Sequence, residues 1–99
     1  MLNQIVIVGR LTDKLNQVSE EKFEGKIIVP QSFKNKDGEY DTDIIKFETY
    51  GNIGKNVNEY CNKGDVVGIK GRVASSDGES LVVVAEKITF LSRNEKGEE

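Results

Sequence analysis

Residues 32–73, SFKNKDGEYDTDIIKFETYGNIGKNVNEYCNKGDVVGIKGRV, change hydrophobic period several times within one short unit. Asn35-Lys36-Asp37-Gly38 is a turn signal, because Asp-Gly readily supplies the positive φ that a tight hairpin needs. From Tyr40 to Tyr50 the residues alternate, with Ile45, Phe47 and Thr49 on one face and Ile44, Lys46, Glu48 and Tyr50 on the other. The first set makes the better core face. The second mixes large apolar groups with charges and suits a solvated working surface. Gly51-Asn52 ends this strand. From Ile53 the period lengthens, and Ile53, Val57, Tyr60 and Cys61 share one face of a short helix. Lys63-Gly64 is expected to close it, a cation in the last turn and a glycine just past it. Asp65 to Ala74 returns to alternation, with Val67, Ile69, Gly71 and Val73 against Val66, Gly68, Lys70 and Arg72. Two glycines inside one strand predict a sharply curled sheet.

On the N-terminal side of this unit, Leu2 to Gly9 is a strand, and its β-branched run Ile5 to Val8 predicts cover on both faces for part of its length. At Gly9-Arg10 the strand must bend or let another chain approach. Thr12 to Glu24 is a polar loop with a short strand around Gln17 to Phe23. Gly25 to Phe33 is the second main strand, and Pro30, lacking an N–H, predicts a bulge or an edge position that leaves the side-chain parity beyond it open. On the C-terminal side, Ser75-Ser76-Asp77-Gly78 is a tight turn and Leu81 to Leu91 a closing strand. Ser92 to Glu99 is charged and expected to fray. An all-β chain of five strands, with one helix between the third and fourth, is the pattern of an OB-fold five-stranded barrel. A ubiquitin-like or SH3-like barrel does not place a helix there so naturally. With no repeat or linker, residues 1–92 make one domain and residues 93–99 a charged, flexible end.

The chain of 99 residues suffices for a single modest core. At 36% hydrophobic and 31% charged it has the composition of an ordinary soluble domain. Its longest apolar runs are strand-sized, so no membrane span is expected. MLNQIVIVG lacks the basic region and cleavage site of a secretory signal, and a lone cysteine, Cys61, fits a reducing cytosol. The absence of histidine removes the commonest general base and the commonest zinc ligand, so no catalytic residue, metal or cofactor is assigned and the chain is not expected to be an enzyme. A metal-dependent nuclease would have to use Asp41, Asp43 and Glu48. Asp37 and Asp41 to Asp43 do not meet the EF-hand spacing. The net charge of -3 gives no global basic signal, yet a local stripe of lysines can bind phosphates on an acidic domain.

MLNQIVIVGRLT, the hairpin SFKNKDGEYDTDII, the helix NVNEYCNKGD, the segment GIKGRV and the closing VVAEKITFL occur in an order and spacing that resembles the bacterial single-stranded DNA-binding protein family over most of residues 1–92. The resemblance implies an OB domain that assembles as a homotetramer or dimer, commonly through the first strand. It also implies a cytoplasmic protein that wraps single-stranded DNA without sequence preference during replication, recombination and repair. By position, it puts Phe33 at the aromatic that starts the family's hairpin and Tyr50 at the aromatic that ends its third strand. Lys46 falls where a basic or polar residue is common. Ile44 occupies a position usually held by Trp or Phe, so one stacking platform is reduced. Lys34 and Lys36 on the hairpin are read as phosphate clamps, with Arg10, Lys70 and Arg72 joining them where they face outward. Tyr40 stands between hairpin packing and stacking.

Such binding needs π faces for bases and cations along the phosphate path, so with no tryptophan it is expected to be measurable but salt-sensitive. Phe23, Phe47, Tyr60 and Phe90 are read as core, and Cys61 as a small buried hydrophobe. Lys22, Lys26 and Lys96 are read as ordinary solvated charge. Two departures from the family stand out. The turn ASSDGES is short, and the sequence stops at NEKGEE without an acidic tip ending in Phe, which points to a truncated or compact phage or mobile-element version and puts recruitment of replication and repair partners in doubt. The alternative on the same fold is a protein–protein interaction module of a replication or primosome assembly with weak nucleic-acid binding.

Overall fold

The computed structural model describes residues 2–75 and 77–93. Ser76 of the expected turn and residues 94–99 of the expected charged end, Lys96 among them, lie outside the described residues. The elements run β1 (Ile5–Leu11), β2 (Asn16–Gln17), β3 (Lys22–Lys34), β4 (Tyr40–Tyr50), α1 (Asn52–Tyr60), β5 (Val66–Ser75) and β6 (Leu81–Ser92). Five long strands close on themselves: β1 pairs with β5, β5 with β6, β6 with β4, β4 with β3, and β3 with β1. This is the OB barrel expected. Because the two-residue β2 adds a short antiparallel flap on β3, the helix falls between β4 and β5 in this numbering.

Closure depends on β1 changing partners. It pairs antiparallel with β5 from Ile5 to Arg10 and then with β3 at Arg10↔Ile28 and Leu11↔Ile27. The close approach foreseen at Gly9 is made by β3 of the same molecule, since a Cβ there would lie 2.6 Å from the Ile28 carbonyl oxygen. Of the two glycines in β5, Gly71 carries the curl. A side chain on it would collide with the Val84 carbonyl at a bulge, whereas one on Gly68 would meet only ordinary contacts.

The inward set Leu11, Phe23, Ile27, Phe47, Val67, Ile69 and Ala85 is buried, with α1 plugging one end through Gly54, Val57 and Cys61. Thr49, on the predicted core face of β4, is fully buried and donates from Oγ1 to the Ala85 carbonyl at 3.0 Å, which satisfies its hydroxyl. Leu15 joins this core from the loop expected to be polar. Asn58 of α1 holds it there by accepting from its N–H at 2.7 Å and donating to its carbonyl at 3.0 Å.

Four expectations are corrected. Tyr60 is 67% exposed rather than core, because the buried stripe of α1 is centred on Gly54 and Val57, with Cys61 buried just past its end. At 100° per residue, Tyr60 lies about 90° from that centre. Phe90 is 42% exposed near the end of β6, with the Arg93 guanidinium 5.0 Å above its ring. The helix ends at Tyr60, three residues before Lys63, with Cys61 already extended; Gly64 (φ 87°) belongs to the separate turn in which the Asp65 carboxylate accepts from the Asn62 N–H at 2.8 Å. Finally, Val6 and Val8 are exposed on β1, so the described residues leave the outer face of that strand largely uncovered.

Candidate nucleic-acid interface

The outward alternation of β4 meets that of β3 in a continuous antiparallel register, so side chains on the outer face stand in opposed pairs. In order along the ribbon these are Lys22 with Tyr50, Glu24 with Glu48, Lys26 with Lys46, Ile28 with Ile44, and Pro30 with Thr42. Beyond Pro30 the register shifts, and Lys34 then faces Tyr40. The bulge predicted at Pro30 is therefore present. The pairing sum changes by two residues (30 with 42, then 34 with 40), which returns the even-numbered side chains of β3 to the face they held before.

The structure brings Tyr50, Lys46, Ile44, Tyr40 and Lys34 onto one ribbon face. Ile44 is 64% exposed and, with Ile28 opposite, makes an apolar step instead of an aromatic one. Lys34 Nζ lies 5.7 Å from the centre of the Tyr40 ring, a cation–π contact, so one face of that ring is occupied. Phe33 is 84% exposed within the shifted segment, beside the paired ladder rather than in it. Lys36 stands at the hairpin turn.

The remaining basic residues divide. Arg10 is next to Ile28 across the β1–β3 closure, but its Nη1 donates to the Gly64 carbonyl at 2.7 Å. Arg72 reaches the ribbon through the row Arg72–Val84–Glu48 across β5, β6 and β4, and is paired with Glu86 at 3.2 Å. Lys70 lies between Val6 and Lys87 on the β1–β5–β6 side and is not brought to the ladder.

Two lysines read from sequence as plain surface charge belong to this face. Lys26 directly opposes Lys46, and neither is bonded to an acid among the described residues. Two ammonium groups held opposite each other repel, and an anion between them relieves that repulsion. Lys22 opposes Tyr50 and bridges to Glu48 at 3.2 Å and to Glu24 at 3.8 Å. Tyr50 donates from its hydroxyl to the other Glu48 oxygen at 3.0 Å. The hydrogen bond to Glu48 is the main cause raising both the Tyr50 phenol and the Lys22 ammonium above their ordinary values. Period alone could not separate Lys22 and Lys26 from other surface lysines; the signal was their even parity with Tyr50 and Lys46 once the strands are placed in register.

Because β4 and β6 pair only at Phe47↔Val83 and Glu48↔Val84, the strands part just before this point. They leave a cleft of about 300 Å³ lined by Lys22, Glu24, Lys46, Glu48 and the exposed Leu81. The acids that a metal-dependent nuclease would need do not converge. Asp41 accepts from Asn35 and Asp43 from Gln31, each at 3.0 Å, while Glu48 is engaged by Lys22 and Tyr50. Among the described residues no cluster of three or more His, Cys, Asp or Glu could hold a metal ion, and no helix is long and apolar enough to cross a membrane.

The sequence model of the Single-strand binding protein family matches residues 2–91. The chain belongs to that family. It is 31% identical over 92% of its length to single-stranded DNA-binding protein B of Bacillus subtilis, of which it spans 91%. It is 33% identical over its whole length to a Staphylococcus epidermidis single-stranded DNA-binding protein, of which it spans 83%, whereas it spans 66% of a Staphylococcus aureus family member at 31% identity. Among solved structures, the barrel is similar to that of the Plasmodium falciparum SSB complex with ssDNA (TM-score 0.74, 15% identity, 93% of this chain and 96% of that one). It is also similar to the dimeric N-terminal domain of PriB from Thermoanaerobacter tencongensis (TM-score 0.70, 21% identity, 92% and 98%). At these identities the structural likeness establishes the fold.

Proposed function

We infer that this protein binds and protects single-stranded DNA without sequence specificity, as a non-enzymatic cytoplasmic component of replication, recombination and repair. The observation that carries this reading is the Lys26–Lys46 pair, acid-free among the described residues, set between the Ile28–Ile44 step and the Tyr50 end of an exposed ribbon. A flexible strand can place phosphates at the lysines while its bases lie on the apolar and aromatic steps on either side. The roles follow from placement. Tyr50 and Phe33 stack bases, Ile44 gives apolar contact, and Lys26, Lys46, Lys34 and Lys36 meet phosphates. Tyr40 stacks only on the ring face that Lys34 leaves open. Lys70 has no part on this path, and Arg10 and Arg72 enter it only by giving up their present partners. Residues 1–92 form the binding domain. Val6 and Val8 on the outer face of β1 suit self-association as a dimer or tetramer.

The test is a polythymidine titration at two salt concentrations beside the matching duplex, with mass measured by light scattering. Tighter binding of the single strand, a negative salt slope and a mass above one chain are expected. Equal affinity for duplex and single strand would overturn the reading. The pairing of Arg72 with Glu86 and of Lys22 with Glu48 leaves little free positive charge at the Tyr50 end, and this favours a second reading: a protein–protein module of a replication or primosome assembly. A stable oligomer that ignores single strands at low salt would select it.

A further inference from the structure

Glu48 is an acid in the middle of a face inferred to carry a polyanion. Its side chain is 12% exposed, enclosed by the two groups it holds, with one carboxylate oxygen on the Tyr50 hydroxyl at 3.0 Å and the other on Lys22 Nζ at 3.2 Å. Glu24 stands opposite it, 3.8 Å from the same ammonium group. Arg72, the nearest other cation in the row, is bound to Glu86 at 3.2 Å. Each contact has a consequence for a strand laid along the ribbon. The bond to Tyr50 fixes the position of the phenol oxygen and with it the direction of the ring axis. The bond to Lys22 neutralises a lysine that otherwise faces the strand.

We propose that Glu48 is a positioning residue that holds the Tyr50 ring for base stacking while withholding Lys22 from the phosphates, so that it sets and limits the affinity of the Tyr50 end. The proposal rests on the single-strand-binding reading above. A Lys22 held at 3.2 Å by the enclosed Glu48 adds no counterion release when DNA arrives, because its charge is already balanced; left with only the more exposed Glu24 at 3.8 Å, a weak surface pair, it exchanges that partner for a phosphate and adds one contact. The two functions of Glu48 separate by chemistry. A glutamine keeps an oxygen to accept the Tyr50 hydroxyl and gives up the charge, whereas an alanine loses both.

The experiment measures polythymidine affinity of the full chain over a range of salt for wild type, Glu48→Gln, Glu48→Ala, Lys22→Met and the double variant Glu48→Gln, Lys22→Met. Glu48→Gln is expected to bind on the order of tenfold more tightly at 50 mM salt, with a log–log salt slope steeper by about 0.7, the value of one single-strand phosphate contact. Lys22→Met alone should leave the slope unchanged, and in the Glu48→Gln background it should remove the gain. Glu48→Ala should gain the slope but bind less tightly than Glu48→Gln, because the ring is no longer held. Thermal melts of all variants identify any that fail to fold, and the Lys22→Met comparison stands without Glu48 variants. A wild-type slope that falls by about 0.7 in Lys22→Met, or a Glu48→Gln slope equal to wild type, overturns the proposal and leaves the binding function intact. No binding by wild type or Glu48→Gln at low salt overturns the function itself, and the proposal with it.

Discussion

The two ends of the β3–β4 ribbon present their aromatic groups in opposite ways. Tyr50 ends a strand whose preceding residues Thr49 and Phe47 are buried, and its hydroxyl is bound to Glu48. The next N–H, of Gly51, donates to the Glu21 carbonyl at 2.7 Å. At the other end Phe33 is 84% exposed inside a register shift, and Tyr40 is 55% exposed under the Lys34 ammonium group. Asn35 orders that turn by accepting from the N–H groups of Asp37 at 2.9 Å and Glu39 at 3.0 Å, but it holds no aromatic ring. A ring already held needs little further ordering when a base stacks on it, whereas a free ring loses rotamer entropy on contact. On the proposed binding path the barrel end is therefore the fixed platform, and the hairpin the adaptable one.

The largest effect expected of any change that probes this contrast is on folding. Phe47→Ala removes a fully buried ring directly behind the Tyr50 end and should cost about 3–5 kcal/mol in urea denaturation, while Phe33→Ala should leave the midpoint unchanged. Binding comes next. Tyr50→Ala should weaken polythymidine by about 1–3 kcal/mol, and Phe33→Ala by less than Tyr50→Ala although its ring is more exposed. If Phe33→Ala costs more, the hairpin rather than the barrel supplies the main platform. Between the two ends, removing both Lys26 and Lys46 should flatten the log–log salt slope by about 1.4, the loss of two single-strand contacts. Lys34→Ala with Lys36→Ala should also weaken binding without unfolding the chain.

The smallest effect is on titration. Tyr50 and Lys22 are both raised, chiefly by the hydrogen bond to Glu48, so each binds its proton more tightly folded than unfolded. The stability this contributes is complete below about pH 10 and is lost as pH rises through the two raised values. Ultraviolet titration should find the Tyr50 phenol ionising above the ordinary tyrosine range in wild type, and returning toward it in Glu48→Ala.

Most features set by near neighbours in sequence are legible in it, the helix stop at Lys63-Gly64 being the exception. Alternation from Tyr40 to Tyr50, the period change at Ile53, the turn at Asp37-Gly38 and the bulge at Pro30 all describe the folded elements, because each rests on backbone geometry within a few residues. The misreadings sit where an element meets the edge of the barrel. Tyr60 and Phe90 have the residue type and spacing of core groups, yet the described elements leave both of them exposed. Leu15, in a polar stretch, is buried because Asn58, far along the chain, grips its backbone.

The same division runs through the candidate site. The amino-acid sequence alone determined that Ile44, Lys46, Glu48 and Tyr50 share an outward face, since a strand has a period of two whatever it pairs with. Which side chains oppose them was decided only by tertiary structure, because register is a property of two strands and not of one. That register set Lys26 against Lys46, brought Lys22 beside Tyr50 and into an ion pair with Glu48, and left Lys70 on another side of the barrel.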